Sequence, residues 1–159
     1  MNLDKKLQET EYIKRENWVK LVHVLKHQFN DWTLNNLCEH GYADFKMVYM
    51  PVLMNIKLEG TNNNDLANHA RVTKQAMSKV AKELQELGYI KSKADPNDKR
   101  SSIFTLTERG KKLVLEARLL VKDLMDEYRS VIGKAEFDKA TQVILKILDY
   151  NDQQLNLKK

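Results

Sequence analysis

Apolar positions recur along the chain mostly at three- and four-residue steps, the period of a helix with one buried face. Residues 7–37 show it in Trp18, Leu21, Val22, Leu25, Phe29 and Trp32, and Gly41 is placed to end that helix. Asp44 is placed to cap a second helix whose inner face would use Phe45, Val48, Tyr49, Val52, Leu53 and Ile56. Pro51 falls inside that pattern and predicts a kink or a later helix start, since proline lacks a backbone donor and clashes with the preceding turn.

The pattern changes over residues 60–112. Gly60 to Asn64 reads as a polar turn and Asp65 to Ala70 as a short helix with Leu66 and Ala67 inward. After the tight connection Arg71-Val72-Thr73, Thr73 is a good N-cap for a helix from Lys74 to Leu87, and Gly88 is its stop. Met77, Val80, Ala81, Leu84 and Leu87 form its inner stripe. Tyr89 to Ala94 and Ser102 to Leu106 read as two strands joined by the turn-rich run Asp95 to Ser101.

Thr107 then caps a long helix with two apolar lines. One is Leu113, Ala117, Leu120, Leu124, Tyr128 and Val131, and the other is Leu115, Leu119 and Met125. A face this wide exceeds what one neighbouring helix covers. Gly133 breaks the helix, and residues 135–149 give a last amphipathic one through Phe137, Ala140, Val143, Ile144, Ile147 and Leu148. The remaining tail is polar and expected to fray.

Two helices on a short connection followed by a hairpin describe a winged helix-turn-helix. The expected class is therefore mainly α (α+β), with about six helices and a two-stranded wing. Composition fits: 42% of the 159 residues are apolar and 31% charged, enough for a core and too apolar for disorder. With 5 Gly and 2 Pro the chain favours long helices. One cysteine excludes an intramolecular disulfide and a cysteine-based zinc finger. No long uncharged apolar run suggests a membrane span, the start has no apolar signal core, and a reducing cytoplasm is the simplest address.

The net charge of +5 becomes informative once located. Residues 1–59 carry 8 basic and 8 acidic side chains and residues 113–159 also 8 and 8, whereas residues 60–112 carry 11 and 6. The whole excess falls on the expected helix-turn-helix and hairpin, the footprint of a polyanion-binding module. A basic excess alone is usually a solvated face. Here it coincides with an outward stripe of Gln75, Ser78, Lys79 and Lys82, with acids only toward the helix end at Glu83 and Glu86. Gln75 can bond bidentately to an adenine edge, and Lys79 and Lys82 can reach guanine or phosphate. Lys99 and Arg100 at the hairpin tip would follow the minor groove.

Asp65-Leu66-Ala67, Thr73 to Leu87, Gly88-Tyr89-Ile90, Asp95 to Ser101 and Leu106-Thr107-Glu108-Arg109-Gly110 together resemble the MarR family of transcriptional regulators. The run Gly41-Tyr42-x-Asp44-Phe45 is similar to one branch of it. The resemblance implies a triangular homodimer with a dimerisation helix in 1–40, a DNA-binding lobe in 44–112, dimerisation helices in 113–150 and a flexible tail in 151–159. It also implies that Asp98 pairs with Arg100 at the wing tip. The implied partners are a second copy, a pseudo-palindromic operator in double-stranded DNA, and a small effector, aromatic ones included, that relieves repression; no membrane is involved. The DNA-contact set is then Thr73, Lys74, Gln75, Ser78, Lys79, Lys82, Asp98, Lys99 and Arg100. Trp18, Trp32, Tyr42, Tyr49 and Met50 are the effector candidates, although aromatic and methionine side chains at helical spacing are more often plain core.

The same residues admit other readings. A winged helix also serves as a protein-interaction adaptor without an effector. An enzyme is disfavoured, because no nucleophile–base pair or carboxylate cluster stands out, and no cofactor motif such as GxGxxG or GxxxxGK[ST] is present. His23 and His27 have a chelating i,i+4 spacing without a matching third ligand and read as surface or interface side chains. Cys38 has no adjacent cation and reads as a small packed residue.

Overall fold

A computed structural model of the chain describes residues 3–14, 17–70, 72–95 and 102–156. Among these are seven α-helices and a three-stranded antiparallel sheet. The chain divides into two units, Met1–Ala117 and Arg118–Lys159.

The first unit opens with α1 (Leu3–Glu9), a 3-10 turn at Glu11–Lys14, and α2 (Trp18–Glu39). The periodicity over 7–37 is therefore broken, and the segment 1–40, expected as a dimerisation helix, is not one helix. Thr10 Oγ1 donates to the carbonyls of Lys6 and Leu7, at 2.9 and 3.1 Å, in the last turn of α1. A side chain that bonds back in this way competes with continuation of the helix. Asn17 restarts it, its Oδ1 accepting from the Val19 and Lys20 amides at 3.0 and 3.3 Å. Gly41 stops α2 as expected, with φ of 90° and the Tyr42 amide reaching the Leu37 carbonyl at 2.9 Å.

The segment after Gly41 departs from expectation. A 3-10 turn at Met47–Tyr49 leads into α3 (Met50–Leu53), which carries Pro51 in its first turn, where no intrahelical donor is needed. The tighter turn also rotates Val48 outward, while Phe45, Tyr49, Val52, Leu53 and Ile56 are buried. Asp44 caps no helix.

Strand β1 (Thr61–Asn62) precedes α4 (Asn63–Ala70). Asn62 supplies the cap, accepting from the Asp65 amide at 2.8 Å and donating to the Asp65 carboxylate at 3.0 Å. The expected polar turn is thus partly strand. Helix α5 (Lys74–Glu86) starts at Thr73, whose Oγ1 accepts from the Ala76 amide at 3.1 Å, and ends at Gly88 with φ of 72°. Met77, Ala81 and Leu84 are fully buried, as are Leu66 and Ala67 of α4.

Strands β2 (Ile90–Ala94) and β3 (Ser102–Leu106) form the hairpin, with Ile90 opposite Leu106 and Ala94 opposite Ser102. β1 adds to the outer side of β3, giving the order β1-β3-β2 rather than two strands alone. β2 is an edge, and exposed Lys91 and Lys93 guard it against pairing with another chain. Helix α6 (Glu108–Ile132) begins in this unit, with Thr107 Oγ1 accepting from the Gly110 amide at 3.1 Å and Leu113, Val114 and Ala117 buried.

The second unit holds the rest of α6 and α7 (Lys134–Asn156), joined at Gly133 with φ of 103°. Arg129 ties the bend together: it donates to Asp126 at 2.9 Å and Asp138 at 3.4 Å and lies 5.0 Å from the Phe137 ring centre. Helix α7 runs into the expected flexible tail. Residues 151–154 are polar but contain no Gly or Pro, and Leu155 stands two turns beyond Leu148, so the helical pattern persists.

Candidate nucleic-acid interface

The physical requirement for reading a duplex is a rigid helix with an uncommitted polar face. Helix α5 is held from below by its buried Met77, Ala81 and Leu84. Thr73, Lys74, Gln75, Ser78, Lys79 and Lys82 are all exposed, so the structure gathers these expected contacts on the open side of one helix. Their commitments differ. Ser78 donates to the Lys74 carbonyl at 2.9 Å and accepts from Asn63 at 3.4 Å, which also links α4 to α5. Lys82 pairs loosely with Glu86 at 3.9 Å; both side chains are well exposed, and such a pair is readily exchanged for a phosphate. Asp98, Lys99 and Arg100 lie outside the described residues.

The acids near the end of α5 are not idle. Glu83 accepts from the buried Tyr49 hydroxyl at 2.7 Å and from Lys46 at 3.3 Å. These bonds, Tyr49 first, hold its carboxyl below the usual range, while burial and then Glu83 push the Tyr49 hydroxyl up. The segment after α2 is thereby fastened to the C-terminal half of α5.

A second anchor has no signature in the sequence. Tyr89 donates to Asp44 at 2.5 Å, and Arg109 donates to the other Asp44 oxygen at 2.8 Å and to the Leu87 carbonyl at 2.6 Å. The guanidinium sits 4.3 Å from the Tyr89 ring centre. Burial pushes the Asp44 carboxyl up, but the Tyr89 hydroxyl and the bond and charge of Arg109 outweigh it and leave the group below its ordinary range. Burial and then Asp44 push the Tyr89 hydroxyl up. These residues are 45 and 65 positions apart in sequence, so no local pattern could have joined them.

The Asp44 bonds have a pH consequence. A carboxyl with a depressed folded value contributes stability that is full above its unfolded value, about 4, and is lost as pH falls through the folded one. Asp44→Asn is expected to lower the thermal midpoint at pH 7 and to flatten its decline below about pH 4. Melting curves over that range check this, and an unchanged acid slope would contradict the assignment.

The effector candidates differ in exposure. Trp18 is exposed at the start of α2, and Trp32, Tyr42 and Met50 are half-buried. Tyr49 is buried with its hydroxyl committed to Glu83, and the Tyr42 ring lies 6.4 Å from that of Tyr89. The His23 and His27 rings meet edge to face at 4.5 Å, and no group of three metal-ligating side chains occurs among the described residues. Cys38 is exposed, not packed: it sits about 100° around α2 from buried Leu37. No helix among the described residues is long and apolar enough to cross a membrane.

Residues 43–101 match the MarR_2 model, which describes the MarR family. The HTH-type transcriptional repressors Mb2911 of Mycobacterium bovis and Rv2887 of Mycobacterium tuberculosis are 38% identical over 63 residues, 40% of this chain. The match spans 45% of each relative's length. The fold is shared more widely. A MarR family transcription regulator, SP03579, superposes with a TM-score of 0.76 at 17% identity, over 94% of this chain and 96% of its own. A MarR regulator from Methanosarcina mazei Go1 gives 0.72 at 22% identity, over 88% and 99%. A point mutant of MepR from S. aureus, solved bound to an oligodeoxyribonucleotide, gives 0.57 at 19% identity, over 83% and 96%. α5 and the hairpin strands are thus set on a winged helix-turn-helix fold shared with these regulators, and residues 43–101 carry the similarity to the MarR family.

Proposed function

We propose that the chain is a homodimeric, sequence-specific DNA-binding transcriptional regulator that acts as a repressor in the cytoplasm and is relieved by a small ligand. The observation that carries this reading is the exposed face of α5: Lys74, Gln75, Ser78, Lys79 and Lys82 around an acid-free first half. A helix N-terminus adds amide donors and a positive pole where phosphates lie. Lysines supply the sequence-independent attraction, and Gln75 and Ser78 supply groups that discriminate base edges. Lys99 and Arg100 of the wing extend the contact.

Two copies are favoured by what a single chain leaves uncovered. Trp18, Val19, Leu21 and Val22 of α2, Leu115 and Leu119 of α6, and Ile144 and Leu148 of α7 are exposed apolar side chains. Apolar exposure on this scale signals a partner surface. In a symmetric pair, each copy would present one α5 to a half-site, and the operator would be pseudo-palindromic. An effector would work by binding one spacing of the two helices better than the other. Trp18, Trp32 and Met50 offer it partly open side chains, and Tyr42 and Tyr49 would serve as walls.

Selection from a random duplex pool, followed by gel-shift titration of the recovered sequence, tests the reading. Recovery of a two-fold motif with half-sites about one helical turn apart is expected. A pool from which no sequence is enriched contradicts it.

A further inference from the structure

We propose that Arg109 is a positioning residue for DNA recognition, aimed by Asp44 so that it clamps the C-terminal end of α5 to the first turn of α6. The inference rests on the DNA-binding reading and names the residues that make it geometrically selective.

The end of α5 has a carbonyl to spare. Its glycine stop uses the Leu84 and Gln85 carbonyls, which accept from the Tyr89 and Gly88 amides at 2.9 and 3.0 Å. The Leu87 carbonyl, at the negative pole of the helix, is left for Arg109 Nη1 at 2.6 Å. Arg109 Nη2 is held on Asp44 at 2.8 Å, and the Tyr89 ring covers the guanidinium face. Two directed bonds and the adjacent Tyr89 ring orient this half-exposed group. A lysine ammonium keeps the charge but cannot span both acceptors or stack in the same way.

Fixing one end of α5 matters at the other. Thirteen residues at 1.5 Å each make a rod of about 20 Å. A tilt of about 10° at the clamped end moves the first turn by roughly 3 Å, the length of a hydrogen bond to a base edge. Phosphate contacts through long lysine side chains tolerate that displacement; base-edge contacts from Gln75 and Ser78 do not.

The test uses the full chain, the selected duplex and a scrambled duplex of equal length at one salt concentration. Arg109→Lys is expected to weaken binding of the selected duplex about tenfold, the effect of one charge-assisted bond. Scrambled-duplex affinity should stay within about twofold, because the net charge is unchanged. Asp44→Asn should give a similar loss of preference, and the double variant should lose no more than either alone.

Wild-type affinity of Arg109→Lys for the selected duplex would overturn the clamp. So would equal losses on both duplexes, which mark unfolding, or additive losses in the double variant. Amide exchange at Gly88 and Tyr89 is read in parallel without DNA. Protection should fall in Arg109→Lys, and unchanged protection overturns the inference even where DNA binding holds. A wild-type chain that binds both duplexes alike overturns the DNA reading instead, and the exchange data then decide the clamp alone.

Discussion

Gly110→Ala is expected to destabilise the chain by about 3 kcal/mol, the upper end of overpacking costs, and to lower the thermal midpoint by roughly 10 °C. A Cβ at this position would stand 2.0 Å from the Tyr89 carbonyl oxygen and 3.3 Å from a Leu106 methyl. The oxygen cannot simply retreat. It accepts from the Thr107 amide at 3.0 Å and from the Thr107 hydroxyl at 3.1 Å, and Thr107 also bonds the Gly88 carbonyl at 2.6 Å. Relief therefore means pulling the start of α6 from the end of α5 and losing these bonds. The demand is close approach and not backbone freedom, since Gly110 lies within a helix turn. Differential scanning calorimetry checks it; a midpoint within about 2 °C of wild type would show that the two elements are not in tight contact.

The pair Ile144→Glu and Leu148→Glu is expected to convert the proposed dimer to monomer at micromolar concentration and to abolish operator binding. Both side chains are one turn apart on α7 and exposed in the single chain, at 46% and 53%. In a two-fold interface every substitution is present twice, so the variant sets four carboxylates against an apolar surface. Burying unpaired charge costs several kcal/mol, more than a standard interface can absorb. Sedimentation equilibrium reads the outcome. A variant that stays dimeric would remove α7 from the interface, and a monomeric wild type would remove the two-copy reading.

Local chemistry made part of this molecule legible from its sequence. Thr73 and Gly88 bracket α5 because cap and stop act within a few residues of themselves, and the apolar period beneath them names Met77, Ala81 and Leu84. The hairpin strands follow from turn formers between two β-rich runs. Thr61–Asn62 is too short for any period, so a third strand could not be read. Asn17 was readable as a cap, but the continuous apolar pattern across it masked the break before Trp18. Asp44 shows the deeper limit. A carboxylate in a loop looks the same whether it caps the next helix or binds an arginine 65 residues away, and here the distant partners won. For the interface, residue type and spacing identified the exposed stripe of α5. The anchors that orient it, Glu83 on Tyr49 and Arg109 on Asp44, depend on contacts formed only after folding.

The central claim is that α5 meets a polyanionic duplex through its lysines, and salt dependence tests it most directly. The quantity is the slope of log affinity against log salt for the selected duplex. It is measured for the wild type and for Lys74→Ala/Lys79→Ala/Lys82→Ala. Each neutralised phosphate contributes about 0.9 to the slope, so three lysines in each of two copies contribute about 5. The wild type should lose affinity by about a thousandfold between 50 and 200 mM salt, and the triple variant should show a slope shallower by up to that amount. A wild-type affinity indifferent to salt, or a triple variant with an unaltered slope, would contradict the claim.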